Sequence, residues 1–390
     1  MIATTVALTA ACGDNDNRLD EPAVDISKLD SGNYPTAPRD VNATRTDKTG
    51  LALEAMRIGN AFPLAYDVDR KYAYMRLIYP DPRLSSVLRG YIPHVSSLEE
   101  FSGLTEGLIA GWETNGERRR SPSLGRQVVM KVMRFGTAAQ AETAAQRIAD
   151  RQAETTAGER VTIPDHPQVR ARWSESKRTL DSWLTRDTLL LYTHIEDPVT
   201  EPSETAPLID FTTRAFNTQL EMLKGYTPTP VDQLASLPMD PEGLLGRTLP
   251  LEDKEKYANG EDPSTVGPKQ TALHREHRPD RMKAAFDDAG VDLVANAAGR
   301  LYRTENAAST VRLIAALIDQ ASEGYKSIDG PPNLPSAKCF EAKSPKISTD
   351  RYPPVCYFAY DRYVARVQGK NIQELHQKAA AQYKLLAHDR

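Results

Sequence analysis

His194 stands two residues before Glu196 and three before Asp197. An imidazole close to carboxylates is the raw material of a general base. His274, His277 and Asp280 fall within HREHRPD. Two imidazoles at that spacing can share one helical face, and a carboxylate can complete a metal site. Pro279 argues against it, because proline favours the first position of a helix and leaves both histidines on the irregular segment before it. The charged neighbours Arg275, Glu276 and Arg278 make this run read as solvated surface. Cys339 and Cys356 are 17 residues apart, too far for the Cys-x-x-Cys spacing that lowers a thiol pKa, and they read as one structural disulfide. Two reduced thiols are the alternative, which belongs to a cytosolic protein.

Cys12 offers a different chemistry. The run Ile2–Ala11 (IATTVALTAA) is uncharged, small and apolar, and it ends at this cysteine. That is the pattern of a bacterial lipoprotein signal, in which residues 1–12 form the signal and Cys12 becomes the acylated N-terminus. The run is too short to cross a bilayer, which takes roughly 20 apolar residues. No basic residue precedes it, and Thr9 stands where a leucine is usual, with Leu8 one position early. A translation start placed too far downstream would account for the missing charge. A frayed N-terminus with an incidental thiol is the plainer alternative. Residues 13–27 begin GDNDNRLDE, which has almost nothing to bury and reads as a disordered tether. No later stretch approaches membrane-spanning length, so lipid would be the anchor.

These readings outline the function. The sequence holds no G-x-S-x-G elbow, phosphate loop or dinucleotide glycine fingerprint. We therefore expect no catalytic residues, no metal ligands and no cofactor, and a non-catalytic binding or scaffolding protein on the extracytoplasmic face of the cell membrane. The alternative is an envelope hydrolase whose site assembles from scattered residues around His194. The expected partner is the membrane, through the N-terminal lipid, with an envelope protein, lipid or glycan as the further ligand. With 390 residues and a net charge of −4, the chain lacks the basic face that nucleic acid requires. Arg118-Arg119-Arg120 is its densest positive cluster and reads as a solvated loop.

The elements that must position these residues come in a repeated order. Residues 227–246 carry several prolines and read as a linker between an N-terminal domain, 28–226, and a C-terminal domain, 247–390. In the first, Arg126–Phe135 suits a buried strand, Thr137 caps a helix with Ala141, Ala144, Ala145 and Ile148 on its apolar stripe, Ser176–Trp183 and Thr188–Ile195 follow as strands, and a helix with Ile209, Phe216 and Leu223 closes the unit. In the second, Val291–Tyr302 is a strand, Thr304 caps a helix facing inward through Val311, Ile314, Ala315 and Ile318, Ala337–Glu341 and Val355–Val367 are strands, and a helix with Leu375, Ala379 and Leu386 ends the chain. The expected fold class is α+β: two tandem related units, each a mainly antiparallel sheet with helices on one face. Tyr357, Phe358, Tyr360 and Tyr363 crowd one strand and read as core on one side and packing on the other, with a lipid or glycan groove as the alternative.

Several of these segments together resemble a family of actinobacterial, mycobacterial- or nocardial-type, cell-envelope lipoproteins of unknown function. The resemblance rests on Lys28-Leu29-Asp30-Ser31-Gly32-Asn33-Tyr34-Pro35-Thr36, Ala289-Gly290-Val291-Asp292, Cys356-Tyr357-Phe358-Ala359-Tyr360 with Arg362-Tyr363-Val364-Ala365, and Leu375-His376-Gln377 with Ala381-Gln382-Tyr383. It implies a two-part fold and an envelope location, and no catalytic residues.

Overall fold

The structure, a computed structural model, describes residues 24–76, 82–85, 92–93, 95–121, 124–256, 262–344 and 352–389. Cys12, the signal and most of the tether lie outside the described residues.

In the first unit α1 (Thr49–Asn60), α2 (Ala65–Val68), β1 (Arg83–Ser85), α3 (Leu98–Leu104), β2 (Leu108–Glu117) and β3 (Gln127–Phe135) lead into α4 (Ala138–Thr155). Then β4 (Glu159–Val161), β5 (Arg170–Ser174), β6 (Thr179–Arg186) and β7 (Leu189–Glu196) lead into α5 (Ala206–Leu223). The second unit has β8 (Thr265–Pro268), α6 (Lys269–Leu273), α7 (Pro279–Asp288), β9 (Leu293–Asn296), β10 (Gly299–Arg303) and α8 (Ala307–Ala321). It continues with β11 (Tyr325–Ile328), β12 (Lys338–Ala342), β13 (Val355–Tyr360), β14 (Tyr363–Gln368) and α9 (Ile372–Ala387).

Each unit is built on a seven-stranded antiparallel sheet, in the orders β1-β2-β3-β7-β6-β5-β4 and β8-β9-β10-β14-β13-β12-β11. The orders correspond strand for strand. A strand, one or two helices, two strands, a helix, four strands and a helix occur twice, and each time the last strand inserts beside the third. The repeat of pattern is thus a repeat of topology, in two tandem α+β domains.

Local chemistry explains much of this. Thr137 accepts from Gln140 N at 3.2 Å, and Gln140 returns a bond to Thr137 N, a capping box that starts α4. Asp187 and Asp361 take φ near 51° at the hairpin turns β6–β7 and β13–β14, a conformation aspartate tolerates better than most residues. Gly59 lets α1 lie directly on the Trp112 indole, where a Cβ would come within 2.4 Å of the ring.

The structure departs from several expectations. Helices cover both faces of each sheet rather than one. In the first unit α4 shares a core with Met133, Trp183 and Leu190, while α1 and α5 share another with Trp112, Val132 and Leu191. In the second unit α7 and α8 cover one face and α9 the other. The central strands are apolar on both sides, so each side must be covered. Val291–Tyr302 and Val355–Val367, expected as single strands, are the hairpins β9–β10 and β13–β14. Asn306 rather than Thr304 caps α8, accepting from Ser309 N at 3.0 Å. That helix is also rotated: Leu313 and Leu317 are buried, while Val311 is 53% exposed.

The expected domain limits shift as well. Residues 28–45, expected to open the first unit, lie against the second together with residues 24–27, expected as the end of the tether, with Leu29 and Val41 inside the core that contains Leu244, Leu245, Leu334 and α9. Residues 227–246 are not an unattached linker. They include a 3-10 turn at Val231–Ser236, with Leu234 buried, and Leu244 and Leu245 enter the second core. Their leucines, set among the prolines, give this segment apolar surface to bury.

Candidate functional site

Strand register assembles the most polar part of the first sheet. Glu113, Lys131, Tyr192 and Trp183 form one row across β2, β3, β7 and β6, and Asn115, Val129, His194 and Asp181 form the next. Directly opposed residues of antiparallel strands share a face. His194 Nδ1 lies 2.8 Å from Asp181 Oδ1, which also accepts from the Tyr192 hydroxyl at 2.7 Å. Lys131 is ion-paired with Glu113. Lys131, Asp181 and His194 are all buried. A carboxylate on Nδ1 fixes the imidazole tautomer and orientation, the positioning a histidine base requires. The same contacts also satisfy buried polar groups inside a sheet. Asp197, near His194 in sequence, instead accepts from Arg126 Nε at 2.6 Å and from Thr200. The carboxylate that orients His194 comes from the neighbouring strand, where sequence proximity could not show it.

The structure separates the other candidate ligands. His274 lies in the junction between the units, with Nδ1 3.0 Å from Thr114 Oγ1 and Nε2 3.2 Å from the Phe62 carbonyl. The Trp112 ring meets it edge-on at 5.4 Å. His277 Nδ1 lies 3.2 Å from the Met75 carbonyl, and Met75 N donates to the His277 carbonyl at 3.0 Å. Asp280 holds Arg278 through two hydrogen bonds. The segment expected to be solvated surface is therefore a tie between the units. His274 is buried because the residues it reaches, Phe62 and Thr114, belong to the opposite unit, while His277 reaches Met75 of that unit from an exposed position.

Burial pushes the His274 pKa down to about 3, against the pull of its hydrogen bonds to the Phe62 and Gly59 backbone. Because the unfolded chain takes up this proton near pH 6.5 and the folded one does not, stability falls as pH drops below 6.5 and continues to fall toward pH 3. At about 1.4 kcal/mol per pH unit, His274 should remove about 2 kcal/mol between pH 7 and pH 5. Urea unfolding across that range should show the loss, and His274→Gln should flatten it. An unchanged slope in the variant would refute this assignment.

Leu64 and Met75 of the first unit pack with Leu273, Met282 and Phe286 of the second. A cavity of about 10 Å3 at this junction touches Met56, Thr271, Arg275 and Arg300, which is room for about one water molecule. Cys339 and Cys356 are bonded, with Cα atoms 4.1 Å apart. That is slightly closer than the 4.4–6.8 Å usual for disulfides, because they are directly opposed on β12 and β13. Tyr357 and Phe358 enter the cores on opposite faces of their sheet, and Tyr360 stacks edge-on with Tyr383 at 5.4 Å.

One buried cluster was not foreseen. Glu54 of α1, fully buried, accepts from Thr229 N at 3.0 Å, Thr229 Oγ1 at 2.7 Å, the Tyr226 hydroxyl and Arg134. The signal was present in the sequence: Lys131 and Arg134 interrupt an otherwise apolar strand, and buried charges need partners.

Comparison with known proteins adds a family. The N-terminal domain of a family of unknown function, DUF7373, matches residues 41–239, and its C-terminal domain matches residues 244–389. None of the curated proteins compared matches the chain. Among solved structures, the extracellular domain of PknH from Mycobacterium tuberculosis is similar at 13% identity, with a TM-score of 0.27, over 43% of this chain and 96% of that one. A likeness that low carries no argument about fold or function.

Proposed function

The chain belongs to the DUF7373 family of unknown function, and within it we propose an exported protein, lipid-anchored at Cys12 on the extracytoplasmic face of the membrane, with a non-catalytic scaffolding role toward other envelope components. The observation that carries this reading is the use made of the histidines at the junction. His274 and His277 tie the two units to each other through Thr114, Phe62 and Met75, which favours a rigid body whose outer surface does the work. The buried Cys339–Cys356 bond supports export, since disulfides persist in oxidising compartments. Among the described residues no helix is long and apolar enough to cross a membrane, so attachment would fall to the lipid. Diacylation together with an N-terminal acyl chain suffices at about 0.8 kcal/mol per buried methylene.

The anchorage is tested in cells carrying the gene with its full upstream region. The protein should enter the detergent phase on Triton X-114 partition, and Cys12→Ala should move it to the aqueous phase or block processing. Recovery from cytosol of an unmodified peptide that still contains Met1–Ala11 would end the anchored reading. Crosslinking in intact cells then identifies the envelope components it holds.

The Asp181–His194 contact keeps the hydrolase reading in view, and the purified protein decides between the two. Scaffolding predicts no turnover of ester, amide or glycoside substrates above that of His194→Asn. Turnover lost in a folded His194→Asn variant would replace scaffolding with hydrolysis.

A further inference from the structure

The segment Lys28–Thr36 is among those the sequence singles out, and neither the histidine ties nor the disulfide involves it. Its side chains dock on α9. Asp30 Oδ2 accepts from Gln377 Nε2 at 3.3 Å, Ser31 Oγ accepts from Lys384 Nζ at 3.5 Å, and the Tyr34 hydroxyl donates to Glu374 Oε1 at 3.5 Å. Lys378 Nζ sits 5.5 Å from the centre of the Tyr34 ring. Gly32 has φ of 51°, and a Cβ there would come within 2.8 Å of the Gln377 side chain. Residues 374, 377, 378 and 384 are spaced so that one helical face makes all these contacts.

The rest of the segment continues along the second unit. Leu29 and Val41 are buried in its core, Asn333 Nδ2 donates to the Lys28 carbonyl at 3.1 Å, and Arg39 N donates to the Gly246 carbonyl at 3.1 Å. The Arg39 guanidinium pairs with Asp262 at 3.2 Å. At its end Arg45 donates to the carbonyls of Ala235 and Leu237, and α1 begins at Thr49.

We infer that the second domain is discontinuous: residues 24–45 form a strap that completes it, and the first domain is inserted between the strap and the remainder. The boundary between the two family matches does not describe this organisation, because it places residues 41–45 with the first domain and leaves residues 24–40 with neither. It has a mechanical consequence, which rests on the anchorage proposed at Cys12. Tension on the tether is borne by the strap and α9 before it reaches the first domain, so the second domain is the one held toward the membrane.

Hydrogen exchange read by mass spectrometry on the full chain tests the strap whether or not Cys12 is acylated. Leu29→Ala combined with Val41→Ala should speed exchange about tenfold or more in β13, β14 and α9 and leave β3, β6 and β7 unchanged. Gly32→Ala, a milder change that keeps both core anchors, should give the same pattern at smaller amplitude and serves if the double variant does not fold. Faster exchange in the first domain, equally in both, or in neither would overturn the inference.

Discussion

Replacing Glu54 by alanine should destabilise the protein by about 3–5 kcal/mol, the usual cost of removing one partner of a buried ion pair. Glu54 is fully buried and Arg134 is 4% exposed. Without the carboxylate, Arg134 keeps its hydrogen bond to the Thr229 carbonyl but has lost its counter-charge. Thr229 N and Oγ1, the Tyr226 hydroxyl and Arg57 lose an acceptor at the same time. The cluster joins α1, β3 and the chain leaving α5, so its loss loosens the packing of α1 on the sheet. Urea unfolding followed by tryptophan fluorescence reads this directly, because Trp112 lies against Gly59 of the same helix. Replacing both charges, Glu54→Leu with Arg134→Met, should cost markedly less than Glu54→Ala, since it leaves no unpaired buried charge. A single-variant cost below about 1 kcal/mol would place the cluster with exposed ion pairs and refute the account. The pH dependence has a definite sign. Burial would raise the Glu54 pKa, but hydrogen bonds from Tyr226 and Thr229 and the Arg134 charge hold it below the ordinary 4.5. Its contribution is therefore complete above pH 4.5 and is lost as pH falls through the lowered value, a window more acidic than that of His274.

Sequence periodicity reached the elements that are apolar on one side and missed what depends on distant partners. The stripe of α4, Ala141, Ala144, Ala145 and Ile148, is the buried face, because the rest of that helix is polar and only one orientation is favourable. In α8 the residues Val311, Ile314, Ala315 and Ile318 compete with Leu313 and Leu317. A helix apolar around most of its circumference does not specify which side meets the sheet, and the leucines won. The hairpin β13–β14 read as one strand because its turn, Asp361-Arg362, has neither glycine nor proline to mark it. The β9–β10 hairpin was missed for a similar reason, its turn being Ala297-Ala298. His194 was read with the carboxylates near it in sequence, yet Asp181 was set opposite it by strand pairing. The docking of Lys28–Thr36 on α9 joins the two ends of the described chain, and no local pattern reports such a contact. Both segments had been singled out, but as separate marks of a family rather than as two halves of one interface.

Removing the disulfide by Cys339→Ala with Cys356→Ala should cost about 3 kcal/mol, within the 2–5 kcal/mol seen for native bonds. The bond closes a loop between residues 17 apart, and on the chain-entropy model that loop size limits how much freedom the unfolded chain loses. Substituting both cysteines leaves no lone thiol to obscure the result. The effect should concentrate in the second domain, because Cys339 and Cys356 lie in its core with Phe358 and Leu375. The tryptophans, Trp112, Trp173 and Trp183, are all in the first domain, so their fluorescence alone would follow the change only as far as the two domains unfold together. Comparing that signal with exchange in β13 and α9 therefore measures the coupling that His274, His277 and Met75 provide. Coincident transitions would mean the junction transmits the loss, and separate ones would mean the second domain opens first. An equal unfolding midpoint in the paired variant and the oxidised parent would show that the bond adds nothing, and would withdraw the support it gives to export. The native bond should also resist dithiothreitol until the second domain opens, since both half-cystines are buried and thiol exchange needs access to sulfur. Strap variants such as Gly32→Ala should then be reduced faster than the parent.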